Sequence, residues 1–432
     1  MDILPTEIWQ YIIGFLNYKL FFHLNMICSK FQYFIKTNLR LLLIEYLARI
    51  VKLDVKNYDI KQLINLCQLS SKNKYIDAGN EHSLILMSDG RVYGCGSNEY
   101  GQLGFHNYNN YVTPVLIPKL SDKVIQLAAG YKCSSVLTIE GNVYSFGNNY
   151  HGQLGFGEPF LGSKTIHNIK INSFMPYNVI HVSADNDHSL ILTNDGYVYT
   201  FGDNECGQLG LGDKNDRYIP TLIQNLIQII QVSGGSSHSL VLTNNYQIYA
   251  FGDNVYGQLG LGCSYEKNIV IPRLINGFND IIDISAGADH SLFLTETGQI
   301  YSCGDNEYGN LGLGNKDNTD IPTLVPDLYN IISISAGNSY SLVLMNNGQV
   351  YAFGSNYCGE LGLGICKDIS SPRLIKELVN IINISAKNNH SLALTNNGQI
   401  YAFGNNEFGQ LGLGDFCDRD VPTLLANFNI FT

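Results

Sequence analysis

Short runs of apolar residues broken by polar ones recur along most of the chain and predict β-strands. The stretch 229–252 shows the pattern clearly, with runs at 229–235, 238–243 and 247–252 that are rich in Ile, Val and Leu. The last two runs are close enough in sequence to form a hairpin. We therefore expect a repeating unit that begins with three short antiparallel strands.

A ten-residue phrase overlaps the end of the third run in each unit. It reads Phe-Gly-Asp-Asn-Glu-Cys-Gly-Gln-Leu-Gly at 201–210 and Phe-Gly-Asn-Asn-Glu-Phe-Gly-Gln-Leu-Gly at 403–412. Its second position is glycine in seven copies, spaced by 51, 55, 50, 52, 50 and 50 residues: Gly96, Gly147, Gly202, Gly252, Gly304, Gly354 and Gly404. Such a regular period predicts a repeat architecture.

A fourth strand follows each phrase after a polar loop. Its sequence is Ile-Pro-Thr-Leu at 219–222 and Val-Pro-Thr-Leu at 421–424, and proline suits an edge strand because it cannot donate to a ladder. Four strands in about 50 residues indicate a propeller blade rather than a solenoid rung. Seven blades fit the stretch 75–432.

Two local features depart from the repeat. In six repeats the hairpin turn ends in glycine, but Tyr246 stands there in the fourth, and we predict a different or a strained turn. The first unit begins at Tyr75 with no Pro-Thr-Leu strand before it, whereas the strand 422–425 has no blade after it. We predict that this C-terminal strand completes the first blade and closes the ring.

The repeat resembles a known family. The order Ala-Gly-x-x-His-Ser-Leu-x-Leu-Thr, Gly-x-Val/Ile-Tyr-x-Phe-Gly and Asn-x-x-Gly-Gln-Leu-Gly-Leu-Gly is similar to the regulator-of-chromosome-condensation (RCC-type) repeat. The resemblance covers 75–432 and implies a seven-bladed β-propeller.

The N-terminal residues have a helical pattern instead. Pro5 and Glu7 suit the first turn of a helix, and apolar residues follow at helical spacing. Leu-Pro-x-Glu-Ile at 4–8 and Cys-Ser-Lys-Phe at 28–31 resemble the F-box, over residues 2–40. That resemblance implies docking onto a Skp-type adaptor through Leu4, Pro5, Ile8, Ile12, Ile13, Leu16, Leu20 and Leu24. The alternative is a helical cap packed on the propeller.

The expected fold class is therefore mainly β. It consists of an all-α F-box-like motif at 2–40, a helical linker at 41–74 and the seven-bladed propeller at 75–432. A helical unit of about 35 residues is too small to bury all of its apolar side chains by itself. We therefore expect the N-terminal segment to need a partner surface.

Charge is divided unevenly between these parts. Residues 1–74 hold 10 Lys and Arg against 5 Asp and Glu, whereas the remaining chain holds 16 against 32. An acidic propeller repels phosphate backbones, so we expect no nucleic-acid partner. The ten cysteines form no Cys-x-x-Cys pair, and neither a signal peptide nor a membrane span is visible. These features favour a reducing, intracellular location, cytoplasmic or nuclear.

Recurring polar residues have a structural interpretation. Histidine starts the second run of five repeats, at His82, His188, His238, His290 and His390. A residue repeated once per blade serves a need of every blade, so we expect an internal hydrogen bond beside the serine that always follows it, and no metal site or cofactor. The phrase asparagines, such as Asn204, are expected to hold a turn. Apart from these repeated positions, the sequence shows no group of residues typical of a catalytic site, and an enzyme is not expected.

Binding should depend on the positions at which the repeats differ. The longest interval contains the stretch 158–178, which reads as a unique polar loop and offers Phe160, Phe174, Met175 and Tyr177 as partner contacts. We expect the other varied loops to share one face of the ring with each other: 105–113, 213–219, 263–270, 315–320, 365–371 and 415–420.

Function follows from the pairing of domains, as an analogy. F-box proteins dock onto a Skp-type adaptor of a cullin–RING ubiquitin ligase, while a second domain binds the substrate. The chain is thus interpreted as a non-catalytic substrate receptor in a Skp–cullin–F-box ligase, with an unidentified protein substrate. One alternative is guanine-nucleotide exchange on a Ran-like small GTPase, the activity of the RCC family's founding member. Another is a plain protein-binding propeller.

Overall fold

The computed structural model describes residues 75–431, apart from 119, 121–122, 158–164, 172–173 and 264. The chain divides into two units, Met1–Asn73 and Lys74–Thr432, and all described residues lie in the second. The F-box-like motif 2–40 and the linker 41–74 fall outside them and stay predictions. Within the described residues, no helix is long and apolar enough to cross a membrane.

The described residues form seven four-stranded antiparallel sheets, which are the blades of a β-propeller. Within each blade, every strand pairs with the next one in the chain. Blades 1 to 4 comprise β1 (Ile76–Ala78), β2 (His82–Leu86), β3 (Val92–Gly96), β4 (Tyr111–Leu116), β5 (Val124–Ala129), β6 (Cys133–Thr138), β7 (Val143–Asn148), β8 (Thr165–Ile171), β9 (Val179–Ala184), β10 (His188–Thr193), β11 (Val198–Gly202), β12 (Arg217–Leu222), β13 (Ile229–Gly234), β14 (His238–Thr243), β15 (Ile248–Asp253) and β16 (Asn268–Ile275). Blades 5 to 7 comprise β17 (Ile281–Ala286), β18 (His290–Thr295), β19 (Ile300–Gly304), β20 (Thr319–Leu324), β21 (Ile331–Ala336), β22 (Tyr340–Met345), β23 (Val350–Gly354), β24 (Ile369–Leu374), β25 (Ile381–Lys387), β26 (His390–Thr395), β27 (Gln399–Gly404) and β28 (Arg419–Asn429).

Burial explains the sequence pattern of the strands. All six residues of β14, a second strand, are buried, because both faces of a blade pack against neighbouring blades. The fourth strand β20 mixes half-buried and exposed residues instead. The second runs are therefore almost continuously apolar or small, whereas the fourth strands tolerate proline and charge.

The core lies between neighbouring blades. Phe251 of β15 is fully buried and packs against Gly210, the last residue of the blade 3 phrase. Gly210 has a φ of +69°, and a β-carbon there would lie only 2.8 Å from the Phe251 ring. The same contact recurs between Phe403 and Gly362. Glycine at this position lets the ring of the next blade reach the backbone.

Of the two predicted outcomes at Tyr246, a different turn is wrong, because the regular turn is kept. The Tyr246 amide donates to Thr243 O over 3.0 Å, as the Gly298 amide does to Thr295 O in the next blade. Tyr246 has a φ of +65°, in the same left-handed region as the +76° of Gly298. The cost therefore lies in the backbone conformation of Tyr246, about 1–2 kcal/mol for a residue with a β-carbon.

The predicted completion of the first blade by the C-terminal strand is also wrong. β28 pairs with β27 as the outer strand of blade 7, and β1 to β4 complete blade 1 by themselves. The Pro-Thr-Leu strand ends a repeat rather than starting one, so blade 1 has no missing strand. Closure instead uses contacts between whole blades, such as the 3.0 Å bond from the Ala78 amide to Ser385 Oγ.

The end of the chain still reaches blade 1. Ser88 N donates to Ile430 O over 3.0 Å, and the Ile430 side chain is fully buried. The rings of Phe428 and Tyr93 meet edge to face, with centroids 5.1 Å apart. The residues after the Pro-Thr-Leu strand thus fasten the last blade to the first by packing.

Candidate functional site

One face of the ring collects the loops that differ between blades. The start of each second strand pairs with the phrase glycine at or next to the end of the third strand, as in His238 with Gly252. Gly252 in turn pairs with Ile269, near the start of the fourth strand. We call this face the phrase face. It carries the loops between third and fourth strands, which the sequence predicted to share a face: 105–113, 213–219, 263–270, 315–320, 365–371 and 415–420.

The phrase asparagines hold the loops of this face in place, as predicted. Asn204 Oδ1 accepts the Leu209 amide over 3.0 Å, and Asn204 Nδ2 donates to Asp213 O over 2.9 Å. The equivalent bond to the leucine amide forms in all seven blades. The varied residues are therefore presented on a rigid frame.

The recurring histidines are structural, but they bond to the next blade rather than within their own. His188 Nε2 lies 2.9 Å from Ser239 Oγ, and His390 Nε2 lies 2.8 Å from Ser83 Oγ across the ring closure. We call these bonds the histidine latches. The others join His82 to Ser134, His238 to Ser291 and His290 to Ser341. Tyr340 replaces histidine in blade 6 and contacts Ser391 Oγ at 2.9 Å.

The latches determine which ring nitrogen of each histidine carries the proton. Ser239 Oγ donates to Gln208 O over 2.8 Å, so it accepts from His188, whose Nε2 must carry the proton. Burial lowers the pKa of His82, His238 and His390 to about 3. These imidazoles are therefore neutral at pH 7, and their Nε2 atoms are occupied by serine.

A polar cavity of about 390 Å³ opens where the seven blades meet on the phrase face. It is the mouth of the central channel, and residues after the first strand of every blade line it. At the position equivalent to Gly79 of blade 1, five blades have glycine, but blade 3 has Asp185 and blade 7 has Lys387. Lys387 Nζ donates to Asp185 Oδ1 and to Ala184 O, each over 3.1 Å. This ion pair spans the channel between two blades that are not neighbours.

Exposed tyrosines stand on the phrase face, at the fifth and sixth positions of the phrase. Tyr357 is 87% exposed, and Tyr150, Tyr256 and Tyr308 are also exposed. Val255 stands beside Tyr256 and is exposed too. We call the four tyrosines the aromatic rim.

Carboxylates also stand on the phrase face, in the connections between first and second strands and at the third position of the phrase. Burial raises the pKa of Asp187, Asp253 and Asp305. Burial, with the like charges of Asp253 and Asp305, raises the pKa of Asp289 to about 6. Burial is the largest cause at all four acids, and repulsion between like charges adds to it at Asp187, Asp289 and Asp305. A partner with basic groups would relieve that repulsion.

The stretch 158–178 is not a single loop, because β8 (Thr165–Ile171) lies within it. Phe174, Met175 and Tyr177 belong to the connection from β8 to β9. Phe174 and Tyr177 are exposed, whereas Met175 packs against the core between blades 2 and 3. Phe160 lies outside the described residues, as do the adaptor-binding candidates Leu4, Pro5, Ile8, Ile12, Ile13, Leu16, Leu20 and Leu24. Their binding roles stay predictions.

Sequence reasoning missed two groups of residues on the phrase face. One is the Asp185–Lys387 pair. The sequence indicates it by a charged residue at a position where the other five blades have glycine. The other joins His151, Asp203 and Asp216, whose ligating atoms all lie within 4.8 Å of one another. His151 stands at the sixth phrase position, where the other blades have Tyr, Cys or Phe. Comparing the phrases position by position would have found it.

Comparisons with known proteins agree with this geometry. The chain is 42% identical to the mouse X-linked retinitis pigmentosa GTPase regulator over 242 residues, 55% of the chain and 24% of that protein. It is 29% identical to the ultraviolet-B receptor UVR8 of Arabidopsis thaliana over 244 residues, 56% of the chain and 55% of the receptor. The chain thus spans about half the length of the receptor and about a quarter of the regulator.

A solved structure shows the same fold. Yeast RCC1 (Prp20), bound to Kap60, superposes with a TM-score of 0.72 at 24% identity, over 83% of this chain and 87% of that one. The RCC1-like domain family model matches residues 60–281 and 228–431, and together these matches cover the whole propeller. The chain therefore belongs to the RCC1-like domain family.

Proposed function

We propose that this chain is a non-catalytic binding propeller that docks a protein partner on its phrase face. The observation that carries the proposal is the aromatic rim beside carboxylates whose pKa is raised. Tyrosine supplies much of the binding energy of protein interfaces because it buries a large area and keeps a polar tip. The acidic surroundings favour a partner with a basic surface.

A small GTPase of the Ran type is the first candidate partner. The mouse relative at 42% identity is named a GTPase regulator, and the founding member of the RCC family exchanges guanine nucleotide. In such a role the propeller contributes binding energy and shape rather than catalytic side chains. The experiment is to load a Ran-type GTPase with fluorescent GDP and follow release in excess GDP. Faster release with the full chain supports the role, and unchanged release rejects it.

The second candidate is a substrate receptor of a Skp–cullin–F-box ubiquitin ligase. The pattern Leu-Pro-x-Glu-Ile at 4–8, in front of a binding propeller, favours it. In this role residues 2–40 would bind the adaptor and the phrase face would bind the target. Calorimetry with a Skp-type adaptor tests it: we expect binding by the full chain that is lost in Ile8→Asp and Leu16→Asp. Absence of binding by the unmodified chain would exclude this role.

A further inference from the structure

Hydrogen bonds from two recurring positions join six of the seven pairs of neighbouring blades, and the junction of blades 2 and 3 lacks both of them. That junction keeps other bonds, such as the one from Ser189 Oγ to Gln153 O over 2.9 Å. The first kind is the histidine or tyrosine latch. In the second kind, the Ser or Asp that precedes the last small residue of the first strand accepts an amide of the next blade, as Ser335 Oγ accepts the Ala386 amide over 2.9 Å. The other pairs are Asp77 with Ala129, Ser183 with Gly234, Ser233 with Ala286, Ser285 with Ala336 and Ser385 with Ala78.

The residues of blade 2 explain the difference. Ala128 stands where the other first strands have Ser or Asp, and its methyl group cannot accept a hydrogen bond. Cys133 stands where the others have His or Tyr, and a thiol is only a weak donor. A different side chain of this first strand, Gln126, reaches the next blade. Gln126 Nε2 donates to Val182 O, and Gln126 Oε1 accepts the Val182 amide, each over 3.1 Å.

On the phrase face, the same junction is bridged by His151 of blade 2 and two carboxylates of blade 3. His151 Nδ1 lies 3.1 Å from Asp216 Oδ2 and 3.8 Å from Asp203 Oδ1. All three side chains are partly exposed, so an ion from solvent can reach them. Imidazole nitrogen and carboxylate oxygen are both zinc ligands, and three protein ligands leave the fourth position of a tetrahedral site to a water molecule.

The two carboxylates are held in place from behind. Gln208 Nε2 donates to Asp203 Oδ2 over 2.6 Å, and the Asn204 amide donates to Asp216 Oδ1 over 3.0 Å. Each acid therefore keeps its other oxygen on the His151 side. Hydrogen bonds of this kind orient ligands and strengthen metal binding.

We propose that His151, Asp203 and Asp216 bind one zinc-type divalent ion that ties blade 2 to blade 3. The ion fastens the junction at which the latches are missing. The imidazole favours zinc over magnesium or calcium, which prefer oxygen ligands alone. This site stands apart from the proposed function, since it uses none of the residues of the aromatic rim.

Two variants taken from the repeats themselves test the site. His151→Tyr introduces the residue of blades 1, 4 and 5 at the same phrase position, and Asp203→Asn that of blades 2 and 7. Both changes should therefore be compatible with folding. His106→Tyr, at an exposed histidine of the loop 105–113, is the matched control.

The full chain, stripped with a chelator, is titrated with zinc chloride by calorimetry and by thermal melting. We expect one site, and a melting temperature that rises with zinc because the ion binds only the folded state. His151→Tyr and Asp203→Asn should each weaken that site by at least ~10-fold, and His106→Tyr should leave it unchanged. The proposal would be overturned if the unmodified chain did not bind zinc, or if both variants bound zinc as tightly as the unmodified chain.

Discussion

At the scale of single residues, the polar groups of the core act between blades. The sequence identified the recurring histidines as structural but not their partners, because a strand pattern shows neighbours within a sheet only. His390 and Ser83 are 307 residues apart, and the ring brings them within 2.8 Å. Asp185 and Lys387 were missed for the same reason, as neither residue has a local pattern that points to the other.

Tyr246 is a site at which a single substitution should stabilise the propeller. Tyr246→Gly should raise the free energy of unfolding by about 1 kcal/mol, because glycine adopts a φ of +65° without steric cost. Urea denaturation measures the gain. Gly348→Ala, at the same turn position in blade 6 with a φ of +81°, is the control and should destabilise. A loss of stability in Tyr246→Gly would contradict this account of the turn.

Asp289 should make the stability depend on pH. Burial and nearby carboxylates raise its pKa from 3.8 to about 6, so the folded protein holds a proton that the unfolded chain has released in that range. Stability contributed by this group falls as pH rises through the window. Asp289→Asn should therefore raise the melting temperature at pH 7.5, and the gain should shrink towards pH 4.

The exposed Asp317, which lies in a phrase-face loop, provides the control for that experiment. Asp317→Asn should change the melting temperature little at either pH. An Asp289→Asn gain that stayed constant from pH 7.5 to pH 4 would show that the carboxylate is not the cause.

At the scale of elements, the number of blades and the order of strands followed from the sequence. The 50-residue period, the glycine turns and the proline of the outer strand were sufficient for that. The boundaries of a blade could not be predicted in this way, because a circular repeat can be divided at any point. The strand β8 was missed because it carries no Pro-Thr-Leu sequence between 165 and 171.

Closure through the end of β28 can be tested at Ile430. The side chain is fully buried and its carbonyl accepts the Ser88 amide of blade 1. Ile430→Ala should lower the free energy of unfolding by about 2–5 kcal/mol, because it removes buried methyl groups and leaves a cavity. Ile365→Ala, at an exposed isoleucine, should change it by less than about 0.5 kcal/mol. Similar denaturation midpoints for the two variants would exclude this fastening.

At the scale of the whole molecule, a rigid ring presents variable residues on one face. The latches and the buried asparagines are nearly the same in every blade, so the differences between blades appear in the loops and at the channel mouth. Composition predicted the acidic character of the propeller. It did not predict the aromatic rim, because exposure at the fifth and sixth phrase positions follows from the turn that the asparagines hold.

The most direct test of docking on the phrase face is the affinity of a Ran-type GTPase for three forms of the full chain. The double variant Tyr256→Ala/Tyr357→Ala removes two side chains of the aromatic rim, and Tyr329→Ala removes an exposed tyrosine from the opposite face. We predict that the unmodified chain and Tyr329→Ala bind equally, and that the double variant binds at least ~10-fold more weakly. No binding by the unmodified chain would exclude the GTPase as the partner, and weakening by Tyr329→Ala but not by the double variant would contradict docking on the phrase face.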